Sequence, residues 1–390
     1  MSGTVDAVGV ADVAVVGGGP IGLAIAWRTA VIDPELRVVV VDPAPGGGAA
    51  GVAAGLLAAV TEAHFGEQAL TRLSVASAER WPSFATELEE ASGRPTGFSI
   101  GGTVVAAYDA DDNAVLEELF QHQRTLGLNV GRLRSSDVRR LEPAVSPHVR
   151  GGILAEGDHR VDPRSVCAAL VAACERSGVE LRRHRVERII TAGDRVRGVA
   201  TADGVVTAER VVVAAGTWSA SITGLPPEVV PPVRPVKGQI LALRSPSGEP
   251  PLITRAVRGV VKGSSVYLVP RDDGRVIVGA TVEERGWDTQ PTAGGVYQLL
   301  RDAVLLVPGV TELELVEVRV GLRPGSPDNL PIIGPASLDG LVVATGHYRN
   351  GILLSPITAD AVAHLLTRGT LPEEVSACSP RRFVATEALA

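Results

Sequence analysis

The residues whose type and spacing could do chemistry begin with three glycines. Gly17, Gly19 and Gly22 form G-x-G-x-x-G directly after the apolar run Val13 to Val16 and before Leu23, Ala24, Ile25 and Ala26. An apolar run that short, bounded by glycine, reads as a buried strand, and the segment after it as a helix. In that setting the first glycine permits a tight turn and the second lets backbone approach a pyrophosphate. The third lets the helix lie close on the strand. Pro20 suits the first helical turn, where its missing N–H is no loss. A second apolar run, Val38 to Val41, ends at Asp42, twenty residues after Gly22. A carboxylate there accepts hydrogen bonds from an adenosine ribose and repels a 2′-phosphate. With 44 glycines in 390 residues the fingerprint alone carries little; strand, helix and acid together predict a dinucleotide site. Its diphosphate would sit on the free N–H groups at the helix N-terminus. One fingerprint in the chain points to one dinucleotide rather than two.

Arg323 is the other residue with chemical promise. Val316, Val318, Val320 and Leu322 alternate with Glu317, Arg319, Gly321 and Arg323. A strand of that period sends the first set to the core and Arg323 to the polar face. A guanidinium fork matches a planar carboxylate better than an ammonium does, and a surface ion pair is the plain alternative.

The elements that would position these groups alternate in kind. Residues 67–91 read as an amphipathic helix, Gly101 to Tyr108 as a strand, Ala114 to Leu126 as a helix and Val138 to Leu141 as a short one. The small residues Ala49 to Gly55 are expected to open a helix. Pro163 to Ser177 is a helix with Gly178 just after it. Short strands then follow, Val179 to Leu181, Val186 to Thr191, Val196 to Thr201 and Gly204 to Thr207, joined by Gly-Asp and Asp-Gly turns. The buried run Val211 to Ala214 stops at Ala215 and Gly216, beside Trp218. That places a second strand end at the same crevice, since ligands of doubly wound sheets sit at carboxyl ends of strands. A mostly antiparallel stretch comes next: Val236 to Leu243, Val266 to Pro270 and Arg275 to Ala280, with a helix over Thr292 to Leu306. Leu341 to Thr345 is a third buried strand, followed by Gly-His-Tyr-Arg-Asn-Gly and a helix from about Ser355 to Leu366. The nucleotide domain is therefore expected to be discontinuous, over residues 10–90, 151–225 and 326–375. Residues 91–150 and 226–325 would form a substrate domain.

Composition narrows the class further. Apolar content of 45% and charged content of 21% are those of a globular enzyme. A net charge of −7 with no concentrated Lys/Arg run gives no nucleic-acid footprint, and no apolar segment reaches membrane-spanning length. Met1 to Asp12 has no basic n-region, so we expect no secretory signal. Cys167, Cys174 and Cys378 are widely spaced, as in a reduced cytoplasmic protein, and the seven histidines show no metal spacing. We expect no metal.

With these residues in hand, the chain resembles the FAD-dependent amine and amino-acid oxidases of the D-amino-acid oxidase superfamily, and most of all its glycine oxidase branch. The matching motifs are Val52-Ala-Ala-Gly-Leu-Leu57, Tyr267-Leu-Val-Pro-Arg271, Gly321-Leu-Arg-Pro-Gly325 and Gly346-His-Tyr-Arg-Asn-Gly-Ile-Leu-Leu354. The resemblance implies a mixed α/β (α+β) fold. A Rossmann-type, glutathione-reductase-like FAD-binding domain would carry an inserted antiparallel β-rich substrate domain. It implies that Gly17, Gly19, Pro20, Ile21, Gly22, Asp42 and Pro43 hold the ADP half of FAD, and that Val186 meets adenine through its backbone. Ala54, Gly55, Leu56, Ala215, Gly216 and Trp218 would line the cofactor. His347, Tyr348, Arg349, Asn350, Gly351, Ile352 and Leu353 would wrap the flavin end. Arg323 would take a substrate carboxylate with help from Tyr267, and Arg349 would lie close by. Glu62 is either at the substrate entrance or a solvated acid. Two departures stand out: Ala49, Ala50 and Gly51 replace the family's usual Ser or Thr, and Leu56 stands where methionine is common. No cysteine lies between Cys174 and Cys378, so the FAD is expected to be non-covalent.

The implied reaction is oxidative deamination of glycine and of small amines such as sarcosine and D-alanine. Hydride passes from Cα to the flavin, O2 returns as hydrogen peroxide, and the imine becomes glyoxylate and ammonia. A place in the thiazole branch of thiamine synthesis, a link to thiazole synthase, and a dimer or tetramer follow from the same resemblance. Sarcosine oxidase, a D-amino-acid oxidase or dehydrogenase, a quinone-linked dehydrogenase and a non-catalytic nucleotide-binding subunit remain as alternatives.

Overall fold

The computed structural model describes residues 7–246 and 248–383. The N-terminal reading therefore rests in part on residues 1–6, outside the described ones.

The strand Ala7–Val16 lies at the centre of the first sheet, parallel to Val38–Val41 on one side and to Gly204–Val213 on the other. Glu180–Arg182 continues the sheet beyond Val38–Val41, and Leu341–Thr345 continues it beyond Gly204–Val213, both in parallel. Ile332–Pro335 closes that edge antiparallel. The strands Val186–Ala192 and Arg195–Thr201 form the expected meander, paired onto Gly204–Val213. Val13 to Val15 and Val38 to Val41 are nearly or wholly inaccessible to solvent. Both faces of the sheet are covered, one by helices and the other by the meander strands, and that burial imposes continuous apolar character on the central strands.

Four helices cover this sheet: Pro20–Ile32, Gln68–Ser92, Pro163–Arg176 and Ser355–Arg368. Between them lies the main core, with Trp27 and Trp81 each edge-on to Phe84 at 5.6 and 5.3 Å. Burying each such ring contributes about 2–3 kcal/mol. Trp81 also donates its indole N–H to the Leu353 carbonyl at 2.9 Å, and Ser77 donates to the same oxygen at 2.7 Å. The core thereby fixes the turn that precedes the last long helix.

The second sheet runs Glu314–Gly325, Arg234–Arg244, Arg275–Gly279, Ser264–Pro270, Ala256–Val261, Thr103–Ala107, Gly151–Ala155, Gly131–Arg134. Every pairing is antiparallel except Ala256–Val261 with Thr103–Ala107. One face packs on the helix Ala293–Leu306 through Leu299, Ala303 and Leu306. The other meets the first lobe, where Ile240, Val269 and Ile277 pack on Ala54, Val52 and Leu56.

Three expectations need correction. Ala49 to Gly55 does not open an α-helix: Gly48–Val52 is one 3-10 turn, and the chain then runs extended. Gly55 sits at φ +76° against the Val161 carbonyl, 2.1 Å from where a Cβ would stand, and only glycine fits there. Val316 does not enter the core and is 47% exposed. Ala242 pairs with Glu317 and Leu243 with Leu315, so Val316 is the extra residue of a β-bulge on an edge strand. Finally, Gly151–Ala155 pairs with Thr103–Ala107 in the second sheet. Residues 151–155, expected in the nucleotide domain, therefore lie in the second sheet.

Candidate active site

A cavity of about 410 Å³ lies between the two sheets. Its walls come from the carboxyl ends of the first-sheet strands, from residues 47–56, and from the second-sheet strands facing them. Gly17, Gly19, Pro20, Ile21 and Asp42 line one end. Gly17 is at φ +109°, and a Cβ there would stand 2.5 Å from the Ala214 carbonyl oxygen. Gly22 lies against the Gly17 carbonyl, 2.0 Å from its would-be Cβ, so helix and strand could not approach with a larger residue. Gly19, Gly48 and Gly216 also line the cavity, and nothing stands within 4 Å of a Cβ at any of them. These bare stretches open backbone onto the space, and Gly19 caps a 13-residue helix with no side-chain cap. Such a cradle fits a diphosphate. The Asp42 carboxylate accepts the Gly18 N–H at 2.8 Å and the Ala44 N–H at 2.7 Å. A carboxylate has about four acceptor sites, so capacity remains for a ribose.

Residues 51–56 cross the middle of the cavity, held by arginines through their carbonyls. Arg319 donates to Gly51 at 3.0 Å, and Arg271 donates to Ala54. Burial lowers Arg271 to about 10, offset in part by Asp162. The backbone is thus fixed without the Ser or Thr that positions 49 to 51 lack. Alternation had placed Arg319 on the same face as Arg323; its partner was not legible.

At the far end stand Tyr267, Arg258, Arg323 and Arg349. Tyr267 and Arg258 face each other across neighbouring strands. A Cβ at Gly279 would lie 2.5 Å from the Tyr267 hydroxyl, and one at Gly238 would lie 2.3 Å from the Arg323 guanidinium. Those glycines clear the seats of both side chains. Burial pushes the Tyr267 hydroxyl up from its ordinary value, with Arg323 pulling the other way, so it stays a neutral donor.

The two arginines singled out in the sequence are not equivalent. Arg349 pairs with Glu62 at 3.0 Å and with Glu67 at 2.5 Å. Glu62 also pairs with Arg258 at 2.7 Å, and Asn329 donates to Glu67 at 2.7 Å. Burial opposes charge on Glu62, yet Arg258 and Arg349 outweigh it and hold the carboxyl below its ordinary range. Glu62 is therefore an ion-pair hub and not a solvated acid. Arg323 donates only to backbone carbonyls, Thr281 at 3.1 Å and Lys237 at 3.4 Å. Among the described residues no carboxylate pairs with it. Arg258 and Glu67 were missed by the sequence reading, and no local pattern marks either.

His347 is buried with Nε2 3.0 Å from the Thr358 hydroxyl, and burial pushes it down to about 3. It is neutral and serves as a structural partner. Tyr348, Arg349, Asn350, Gly351 and Ile352 line the cavity beside it, as do Ala54, Gly55, Leu56, Ala215, Gly216 and Trp218. Four expected residues are not in the wall. Gly22 packs behind the turn, and Pro43 lies just past Asp42. Val186 begins its strand and packs on an apolar cluster of the first sheet. Leu353 belongs to the main core. The three cysteines are buried and none lines the cavity. Among the described residues no helix is long and apolar enough to cross a membrane.

These features agree with what the chain is similar to. The bifunctional protein ThiO/ThiG of Synechocystis is 34% identical over 96% of this chain and 54% of its own length. The chain thus spans about half the length of that relative. Glycine oxidase of Geobacillus kaustophilus is 34% identical over 92% of this chain and 93% of its own. The crystal structure of glycine oxidase from Geobacillus kaustophilus superposes with a TM-score of 0.88 at 33% identity, covering 96% of this chain and 99% of that one. The family model DAO, FAD dependent oxidoreductase, matches residues 12–365. On that match, which spans both sheets and the cavity between them, the chain belongs to the DAO family of FAD-dependent oxidoreductases.

Proposed function

We propose that this protein oxidises the amine of a small amino acid, glycine foremost, with sarcosine and D-alanine as further substrates. The observation that carries the reading is Arg323, a guanidinium in the cavity wall with no carboxylate partner among the described residues, beside the neutral Tyr267 hydroxyl. A substrate carboxylate would complete it. Arg323 binds that carboxylate through its fork while Tyr267 donates a further hydrogen bond. This anchoring fixes Cα and leaves the amine free, which supplies most of what an oriented hydride donor needs. FAD, held by the glycine cradle, Asp42 and residues 54–56, would supply the hydride acceptor and the route of electrons to O2. His347 stays neutral, and no side-chain base is required at Cα once the amine is neutral. In sum, glycine, O2 and water give glyoxylate, ammonium and hydrogen peroxide.

Glycine oxidase at 34% identity supports this substrate, and the ThiO/ThiG relative supports a link to thiazole synthase and thiamine synthesis. The division into an FAD-binding and a substrate-binding domain, non-covalent FAD, a cytoplasmic location and a dimer or tetramer complete the proposal. Its test is an anaerobic visible spectrum of the purified protein titrated with glycine, sarcosine and D-alanine. Bleaching by glycine, with peroxide formed in proportion on admitting air, supports it. Bleaching only by the other amines moves the substrate, and a protein that takes up no FAD overturns it.

A further inference from the structure

Arg258, Arg323, Arg349 and Glu62 line the substrate end of the cavity, and Glu67 pairs with Arg349. Arg258 and Arg349 share Glu62, at 2.7 and 3.0 Å, and Arg349 is held again by Glu67 at 2.5 Å. Among the described residues Arg323 has only carbonyl partners. The two nearby imidazoles add no charge near neutrality. Burial lowers His64, with Arg349 acting in the same direction, and burial takes His347 to about 3. Two of the three cations are thus answered within the protein, and one is left for a ligand.

We propose that Glu62 and Glu67 set the charge selectivity of this site. By neutralising Arg258 and Arg349 they leave Arg323, among the described residues, as the single cation open to substrate, so the cavity takes amines bearing one carboxylate and rejects those bearing two. A second carboxylate would enter beside Glu62, with no free cation among the described residues to meet it, and like charges that close disfavour binding. Discrimination of this kind rests on a repulsive element as much as on an attractive one. The pairs are also poorly hydrated, since Arg258 is 9% exposed and the Glu62 side chain 16%, so bulk salt screens them weakly. Glu62 and Glu67 thereby act as specificity residues, while Arg323 remains the anchor.

This proposal rests on the carboxylate-binding reading of Arg323, and binding is therefore measured apart from turnover. Methoxyacetate and diglycolate carry one and two carboxylates around an ether oxygen in place of the amine. Each is titrated into the FAD-loaded protein, with the visible flavin spectrum as the readout. The wild type is expected to bind methoxyacetate at least tenfold more tightly than diglycolate. In Glu62→Gln that ratio should fall at least tenfold, because Arg258 and part of Arg349 become available. Glu67→Gln, which leaves the Glu62–Arg258 pair intact, should shift it in the same direction and serves where Glu62→Gln does not fold. Equal binding of both probes by the wild type overturns the selectivity, and continued glycine turnover then keeps the proposed function. An unchanged ratio in either folded, FAD-loaded variant also overturns it. Binding of neither probe overturns both readings together.

Discussion

Replacing Arg323 by Met should raise the KM for glycine by about two to three orders of magnitude while the fold and the flavin content hold. In a partly buried site with an effective dielectric near 20, opposite charges about 4 Å apart attract by about 4 kcal/mol. Losing one partner of a hydrogen-bonded charge pair at a binding site costs about 2–5 kcal/mol. At 1.4 kcal/mol per tenfold, a central loss of about 3–4 kcal/mol gives a factor of about 150–700. Arg323→Lys keeps the charge and loses the fork, so its loss should be smaller, about tenfold. Stability should change little, because the partners left behind are two carbonyls, that of Lys237 on a paired strand and that of Thr281 just past the strand Arg275–Gly279. Arg349→Met is the contrast. It strips Glu62 of one partner and Glu67 of its cation, and should lower the unfolding free energy by about 2 kcal/mol. The assay is steady-state peroxide formation, paired with an anaerobic acetate titration of the flavin spectrum, since KM alone is not an affinity. If Arg323→Met keeps glycine KM and acetate affinity within threefold of the wild type, the anchor is elsewhere and the reasoning fails.

Three further outcomes follow from the same geometry. Gly238→Ala would place its Cβ 2.3 Å from the Arg323 guanidinium; the flexible side chain must move, raising the glycine KM about tenfold with little change in thermal unfolding. Gly17→Ala meets both φ +109° and the Ala214 carbonyl at 2.5 Å, a strain of about 1–3 kcal/mol at the diphosphate cradle. The purified variant should carry less flavin per chain by absorbance, and full flavin occupancy would contradict the cradle. Asp158 accepts hydrogen bonds from the Val60 and Thr61 N–H groups and the Thr61 hydroxyl, yet burial raises it from 3.8 to about 6. The folded chain then holds a proton that the unfolded chain releases, so this stability is full below pH 3.8 and is lost as pH rises through 6. Its size is about 3 kcal/mol. Denaturant unfolding should show the wild type losing about 3 kcal/mol of stability relative to Asp158→Asn from pH 4 to 7, and a constant difference would refute the assignment.

Much of the fold was legible because its signals are local. The run Val13 to Val16, the three glycines and the run Val38 to Val41 each specify their own geometry within a few residues, and the strands and helix formed with small shifts of boundary. The Asp-Asp-Gly turn between Ser264–Pro270 and Arg275–Gly279 was equally self-contained. What failed depended on neighbours distant in the chain. Alternation could not reveal that Val316 is bulged out, since the bulge is set by pairing with Ala242 and Leu243 some seventy residues earlier. Nor could a run of small residues reveal that Gly55 is pressed against Val161, more than a hundred residues later, which stops any helix there.

The site shows the same division more sharply. By type, Arg323 and Arg349 are the same group lining the same cavity; strand alternation and the resemblance favoured Arg323, but neither showed what would neutralise Arg349. Their difference lies in what surrounds them. Arg349 follows the strand Leu341–Thr345 and meets Glu62 and Glu67, which lie nearly three hundred residues earlier on the loop leading into the helix Gln68–Ser92. Arg323 stands on the strand Glu314–Gly325 above Gly238, where the missing Cβ makes room for the guanidinium, and among the described residues its hydrogen bonds go to carbonyls alone. A buried cation already matched by carboxylates gains little from another anion, whereas one held by carbonyls alone keeps most of its charge for a ligand. The acids that decide between the arginines are also the ones the sequence left undistinguished from surface charge. Which cation is left open to an anion is therefore a property of the folded pairings, and it should move with Glu62 and Glu67 as surely as with the arginines themselves.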